Sequence, residues 1–231
     1  IRTGLVNASY LAIGNIVTQV ILLVGFIYIA RKLGTENYGV YATVGAFVTM
    51  FTMFTLSGFG KVLIREGSKD LSSLESLYNR TVGVRLFFLV SAMALCVLCV
   101  FFAPYDLQTR LFIVLFSFGI FYQGMTAFFS TIYQVVEKMK YISTFNIANR
   151  TFFVLLAIAF LYAGYGVLAL IVIALIVNAA TLVCNYCLTR RFVKFNLFSK
   201  VRFEKEVLKP SLSFSLFGAV STLSSRFDLF L

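Results

Sequence analysis

Arg226 and Asp228 are the residues whose chemistry is hardest to hide, because both stand inside the apolar run 211–231. A charge at mid-membrane costs roughly 2.5–3.5 kcal/mol, while a Leu or Phe there returns only about 0.3–0.6 kcal/mol. Both side chains should therefore face protein or a wet cavity. Residues two apart point away from each other on a helix, so each needs its own partner. Ser211, Gly218, Ser221, Ser225 and Asp228 recur at helical spacing and make one small, polar face. An arginine on such a cavity can neutralise a diphosphate through charge-assisted hydrogen bonds. The plainer alternative is a packing face with interhelical hydrogen bonds.

Other polar groups are scattered through earlier apolar runs. Asn15 and Gln19 lie one turn apart, with Thr18 beside them. Their amides can serve sugar hydroxyls or phosphate, or a neighbouring helix. Thr49, Thr52 and Thr55 are expected to bond back to their own helix. Arg85 is expected to snorkel to the interface. Arg150 follows Asn146 and Asn149, so it marks either a polar pocket or a second snorkelling cation, and Gln123 beside Gly124 is equally open. The cysteines pair as C-x-x-C, Cys96/Cys99 and Cys184/Cys187, a spacing that suits zinc. Both pairs fall in apolar helices without histidine, so they read as buried small hydrophobes, and neither a metal nor a cofactor is expected.

The elements that must carry these residues follow from composition. The 231 residues are 60% hydrophobic and 13% charged, with mean hydropathy +0.93. A soluble domain carries about 25% charge, so the chain is an integral membrane protein. Histidine and tryptophan are absent, which leaves tyrosine and phenylalanine as interface anchors. The net charge of +11 is expected to sit in loops between spans rather than to bind nucleic acid. Seven spans are expected, at about 7–30, 39–60, 82–103, 111–134, 143–164, 166–189 and 211–231. Each is long enough to cross about 30 Å of hydrocarbon at roughly 1.5 Å per residue. Continuous rather than alternating apolarity requires helices. The fold class is thus an all-α integral membrane bundle: a six-helix lobe over 1–189, a basic amphipathic connection over 190–210, and over 211–231 a seventh helix that begins a second lobe. The chain starts at Ile1 and stops inside an apolar run at Leu231, as expected of a piece of a longer protein.

Fourteen basic residues fall in the amino terminus and the loops on its side, against Arg31, Lys32 and Arg110 on the other. The positive-inside rule then places the amino terminus in the cytoplasm and the protein in the cell membrane. Between the first two spans the polar break Ala30-Arg31-Lys32-Leu33-Gly34-Thr35-Glu36-Asn37-Tyr38-Gly39 supplies glycines that can end one helix and begin the next.

That break, continued by Val40-Tyr41, resembles the AR-x-LG-x-E-x-YG-x-Y signature of Wzx-type polysaccharide flippases, members of the multidrug/oligosaccharidyl-lipid/polysaccharide exporter superfamily. Ser57-Gly58-Phe59-Gly60 with Val62-Leu63-Ile64-Arg65-Glu66 resembles a second motif of that family, although Ser57 stands where the family often has Asp. Ser224-Ser225-Arg226-Phe227-Asp228 resembles a third. The resemblance implies a flippase that moves a lipid-linked oligosaccharide from the cytoplasmic to the outer leaflet by alternating access. Its cavity residues would be Asn15, Gln19, Arg31, Ser221, Ser225, Arg226 and Asp228. Its partners would be that substrate, membrane lipids, and a polysaccharide polymerase or ligase. A cation-coupled multidrug exporter is the rival reading, weakened because no carboxylate lies in the cores of the first six spans. An enzyme is disfavoured, since there is no histidine, no paired acid in the outer loops and no phosphate-cradling glycine loop.

Overall fold

The computed structural model describes residues 2–55, 58–71 and 74–193; the seventh span and all but the start of the basic connection lie outside these residues. Every regular element described is helical: α1 (Arg2–Phe51), a 3-10 turn (Thr52–Thr55), α2 (Gly58–Gly67), α3 (Leu74–Phe102), α4 (Leu107–Val135), α5 (Lys140–Tyr162) and α6 (Val167–Thr189). Five helical stretches are long and apolar enough to cross a membrane. The first, Ser9–Phe51, has 43 residues. That is about 64 Å of helix, twice the hydrocarbon thickness, so it holds two spans. The chain is therefore a multi-pass membrane protein.

The division within α1 falls at Gly34, which has φ 74° and ψ 171°. Side chains rarely tolerate that conformation, so glycine is needed here for its backbone and not for space: nothing lies within 4 Å of where its Cβ would be. Between α3 and α4 the chain turns at Pro104. Asp106 then caps α4, accepting from the Thr109 amide at 3.1 Å. The hydroxyl and amide of Thr109 hold its carboxyl below the usual carboxylate range.

The second span departs from expectation. A continuous helix over 39–60 is not formed; α1 stops at Phe51 and a 3-10 turn follows. The threonines supply the reason. Thr49 Oγ1 donates to the Gly45 carbonyl, but Thr52 and Thr55 donate to carbonyls only three residues back, at 2.6 and 2.7 Å. Such bonds tighten a helix toward 3-10 geometry. The chain then re-forms as α2, an amphipathic helix that buries Phe59, Val62 and Leu63. On its exposed side Glu66 joins Arg65 at 2.7 Å and Lys69 at 2.9 Å. The cysteines also differ in part: Cys96 is buried, while Cys184 and Cys187 are exposed on α6.

Packing relies on small residues at helix crossings. A Cβ on Gly14 would come 2.6 Å from Ser143 Cβ, and one on Gly25 would come 2.5 Å from Val154 Cγ2. The Ser143 hydroxyl donates to the Tyr10 carbonyl at 2.7 Å. In lipid there is little hydrophobic drive between helices, so close backbone approach and such hydrogen bonds hold them together. α5 joins α6 through Asn149, whose amide donates to Asn178 Oδ1 at 3.2 Å and Thr181 Oγ1 at 2.8 Å. Replacing Gly25 by Leu should overfill the α1–α5 crossing and cost about 1–3 kcal/mol. Gly39→Ala, with open space around it, should change stability by less than about 0.5 kcal/mol. Thermal unfolding in detergent would show a lowered midpoint for the first variant only.

Candidate functional site

Two arginines stand deep in the spans, and the structure gives them opposite roles. Arg85 does not snorkel. It is 4% exposed, and its guanidinium donates to the Thr55 carbonyl and, at 3.2 Å, to the Gly124 carbonyl. Residue 55 is the last of the 3-10 turn. A backbone acceptor left unpaired away from water would cost several kcal/mol, so Arg85 caps the break. Gly124 makes the reach possible. A Cβ there would sit 2.2 Å from Leu89 Cδ2, so glycine lets α4 lie close against α3.

Arg150 is exposed. It lies ten residues beyond Lys140, the start of α5. That is about 15 Å along the helix, near the middle of a 30 Å hydrocarbon slab. A charge at that depth is not stable against lipid chains. The register of α1 and α5 shows what it faces instead. Gly14 meets Ser143 and Gly25 meets Val154, eleven residues further along both helices, so α1 and α5 run parallel. On α1 the residues 15, 19, 22, 26, 29 and 33 form one stripe. Ile29 and Leu33 of that stripe are core, while Asn15 and Gln19 are exposed. On α5 the stripe is 146, 150, 153, 157 and 161, with Phe153, Ala157 and Leu161 in the same core cluster and Asn146 and Arg150 exposed.

The two stripes thus bury their apolar ends in one core and open their polar ends together. A second core lies at the end of the bundle where the chain begins. It joins α2, α3, α4 and Val193, and neither α1 nor α5 contributes a residue to it. At that end α5 still meets α4, where the Tyr133 ring lies 5.8 Å from Tyr141 and 6.4 Å from Phe145. A stripe on α4 changes in the same way as those on α1 and α5: Phe112 and Gly119 are buried, whereas Gln123 is exposed and Ser130 and Gln134 are half-buried. Phe116 on that stripe meets the Tyr41 ring at 6.4 Å, and Tyr41 lies within electrostatic reach of Arg150.

Asn15, Gln19, Asn146 and Arg150 are thus all exposed, at the same level of the paired helices α1 and α5. Asn149 is instead spent on the α5–α6 contact. Arg31 is exposed next to the Gly34 kink, sixteen residues from Asn15 and on the far side of the core, so it does not join them. Ser221, Ser225, Arg226 and Asp228 lie outside the described residues. Sequence reasoning missed Ser130 and Gln134. Their signal was the spacing 123, 127, 130, 134 in an otherwise aromatic and apolar helix.

A kinked double span and parallel glycine-packed helices define the class as a helical multi-pass membrane protein. The chain belongs to the polysaccharide biosynthesis protein family, whose model matches residues 5–230. No curated protein matches it. A transporter of the MOP superfamily from Pyrococcus furiosus Vc1, described as having a binding pocket of reverse polarity that suggests a different function, superposes with a TM-score of 0.74 at 16% identity. It covers 94% of this chain and 52% of its own. An outward-facing multidrug resistance transporter of the MATE family, in the same superfamily, superposes with a TM-score of 0.70 at 15% identity, covering 94% and 52%. The chain spans about half the length of these structures, and its fold is that of half a MOP-superfamily transporter.

The two arginines should separate on mutation. Arg85→Ala removes a buried guanidinium that the Thr55 and Gly124 carbonyls hold and should lower stability by about 3 kcal/mol. Arg150→Ala removes an exposed side chain and should change it by less than about 0.5 kcal/mol. Unfolding midpoints of the two purified variants check this; equal losses would mean that Arg150 is also structural.

Proposed function

We propose that this chain is the amino-terminal lobe of a flippase that carries a lipid-linked oligosaccharide from the cytoplasmic to the outer leaflet of the cell membrane, and that it acts as a transporter rather than an enzyme. The observation that carries this reading is Arg150, an exposed cation at mid-span and level with the exposed Asn15, Gln19 and Asn146; on this reading they wall a polar cleft. A guanidinium suits a diphosphate linker because it offers a planar fork of donors and keeps its charge at any physiological pH. Asn15, Gln19, Asn146 and Gln123 bring amides that both donate and accept, as sugar hydroxyls require. The end of the bundle that holds the cleft also holds Lys61, Arg65, Lys69, Lys138, Lys140, Arg190 and Arg191, which supports its placement in the cytoplasm. The half-length match to two-lobed relatives supports a second lobe beyond the basic segment 190–210. On this reading Ser221, Ser225, Arg226 and Asp228 complete the path from the second lobe's side, and Arg31 stands at the far mouth, where a polymerase or ligase takes the product.

The rival is a cation-coupled multidrug exporter. Among the described residues, the charges deep in the spans are arginines and no carboxylate accompanies them, which favours anionic cargo. Flipping of a lipid-linked oligosaccharide by the whole protein in reconstituted vesicles is the direct test. Arg150→Gln should slow flipping about tenfold or more, the scale of a lost charged hydrogen bond, with normal protein levels. Arg226→Ala should likewise lower surface polysaccharide. Cation-driven drug efflux without lipid flipping would reverse the assignment.

A further inference from the structure

The outer flank of the lobe carries a site that the cleft does not use. α3 and α6 each pack along α4 but not along one another, so a strip of α4 is left between them. The resulting groove holds about 270 Å³ and is lined by Leu86 on α3, Phe121, Met125 and Phe129 on α4, and Leu182, Val183 and Tyr186 on α6. Every atom that faces it is apolar. Water would find no partner there, and an empty groove would forfeit the dispersion contacts of its walls. The groove ends where α6 ends. Arg190 stacks on Tyr186, its guanidinium carbon 5.6 Å from the ring centre, and Arg191 follows at once, exposed. Lys138 of the adjoining α4–α5 connection sits 4.6 Å over Phe192. In these two connections, 136–140 and 190–193, the described cations are Lys138, Lys140, Arg190 and Arg191, and the one carboxylate is Glu137.

We infer that this groove is a binding site for an anionic glycerophospholipid of the surrounding membrane, one acyl chain lying between α3 and α6 and the phosphate held at Arg190 and Arg191. The groove supplies contact for any acyl chain, and the cations at its mouth supply the preference for negative headgroups. Such a lipid would act as a wedge that fixes the spacing of α3 and α6. It is distinct from the cargo, which the cleft between α1, α5 and α4 would take, and it does not depend on what that cargo is.

Native mass spectrometry of the whole purified protein, titrated with phosphatidylglycerol or with phosphatidylcholine, tests this. The wild type should retain phosphatidylglycerol more tightly. Arg190→Ala with Arg191→Ala should reduce that preference by roughly fivefold for each cation removed while phosphatidylcholine retention stays the same. Val183→Trp, at an exposed groove position, should fill the groove and abolish retention of both lipids. Val172→Trp, also exposed on α6 but away from the groove, should leave both unchanged and so serves as the folding and insertion control. Equal retention of the two lipids by the wild type, or undiminished retention by Val183→Trp, would overturn the inference; the second result would mean that the groove is closed to lipid, for example by another part of the chain.

Discussion

The burial of Arg85 is the constraint around which the lobe is built. Hydrocarbon tolerates neither a free charge nor a free carbonyl. Here each defect cancels the other. The 3-10 turn at Thr52–Thr55 interrupts the second span, and the guanidinium of a neighbouring helix donates to its last carbonyl. Neither feature is stable alone. The arrangement holds only if α3, α4 and the turn stay together, which explains why Gly124 is pressed against Leu89 and why Tyr78 stacks on Phe128, 4.4 Å between ring centres, at the same end. One end of the lobe, α2 with α3 and α4, is thereby fixed as a unit.

The other unit is α1 with α5. Its cohesion comes from Gly14, Gly25 and Ser143 rather than from large side chains. Small residues allow the two helices to approach closely and so hold their register, while Tyr141 and Phe145 tie the start of α5 to Tyr133 of α4. At the opposite end Ile29, Leu33, Ala157 and Leu161 rejoin the shared core with Val44, Cys96 and Ile113. The lobe is thus held by two means: shared apolar cores at its two ends and, along α1 and α5, close backbone approach.

Much of this was legible in the sequence, for reasons of scale. Apolar runs of twenty or more residues leave one solution, and Gly34 inside a polar break announces a backbone reversal. Asn15 and Gln19 were visible because two amides one turn apart are conspicuous among isoleucines and valines. Three things were not legible. The 3-10 turn was hidden because threonines that bond three residues back look the same, on paper, as threonines that bond four back. Arg85 was misplaced because its position, close to the start of an apolar run, suits snorkelling as well as burial; only the broken helix opposite decides between them, and that lies thirty residues away in sequence. The alignment of Arg150 and Asn146 with Asn15 and Gln19 was invisible because it depends on how α5 lies along α1, and single-helix periodicity does not fix that.

The comparison of Arg85 with Arg150 shows how a membrane protein can use one residue type for two ends. Both sit in spans, and both follow polar or small neighbours. Composition does not distinguish them. What separates them is the count of backbone acceptors left over nearby. Around Arg85 a helix has been broken, so carbonyls are in surplus and the cation is consumed by the fold. Around Arg150 the helices α1, α4 and α5 are intact, and their carbonyls are already engaged within each helix. The guanidinium there has no local backbone to satisfy. A cation at that depth is stable only where water, a headgroup or an opposite charge reaches it, and none of the described helices supplies a carboxylate there.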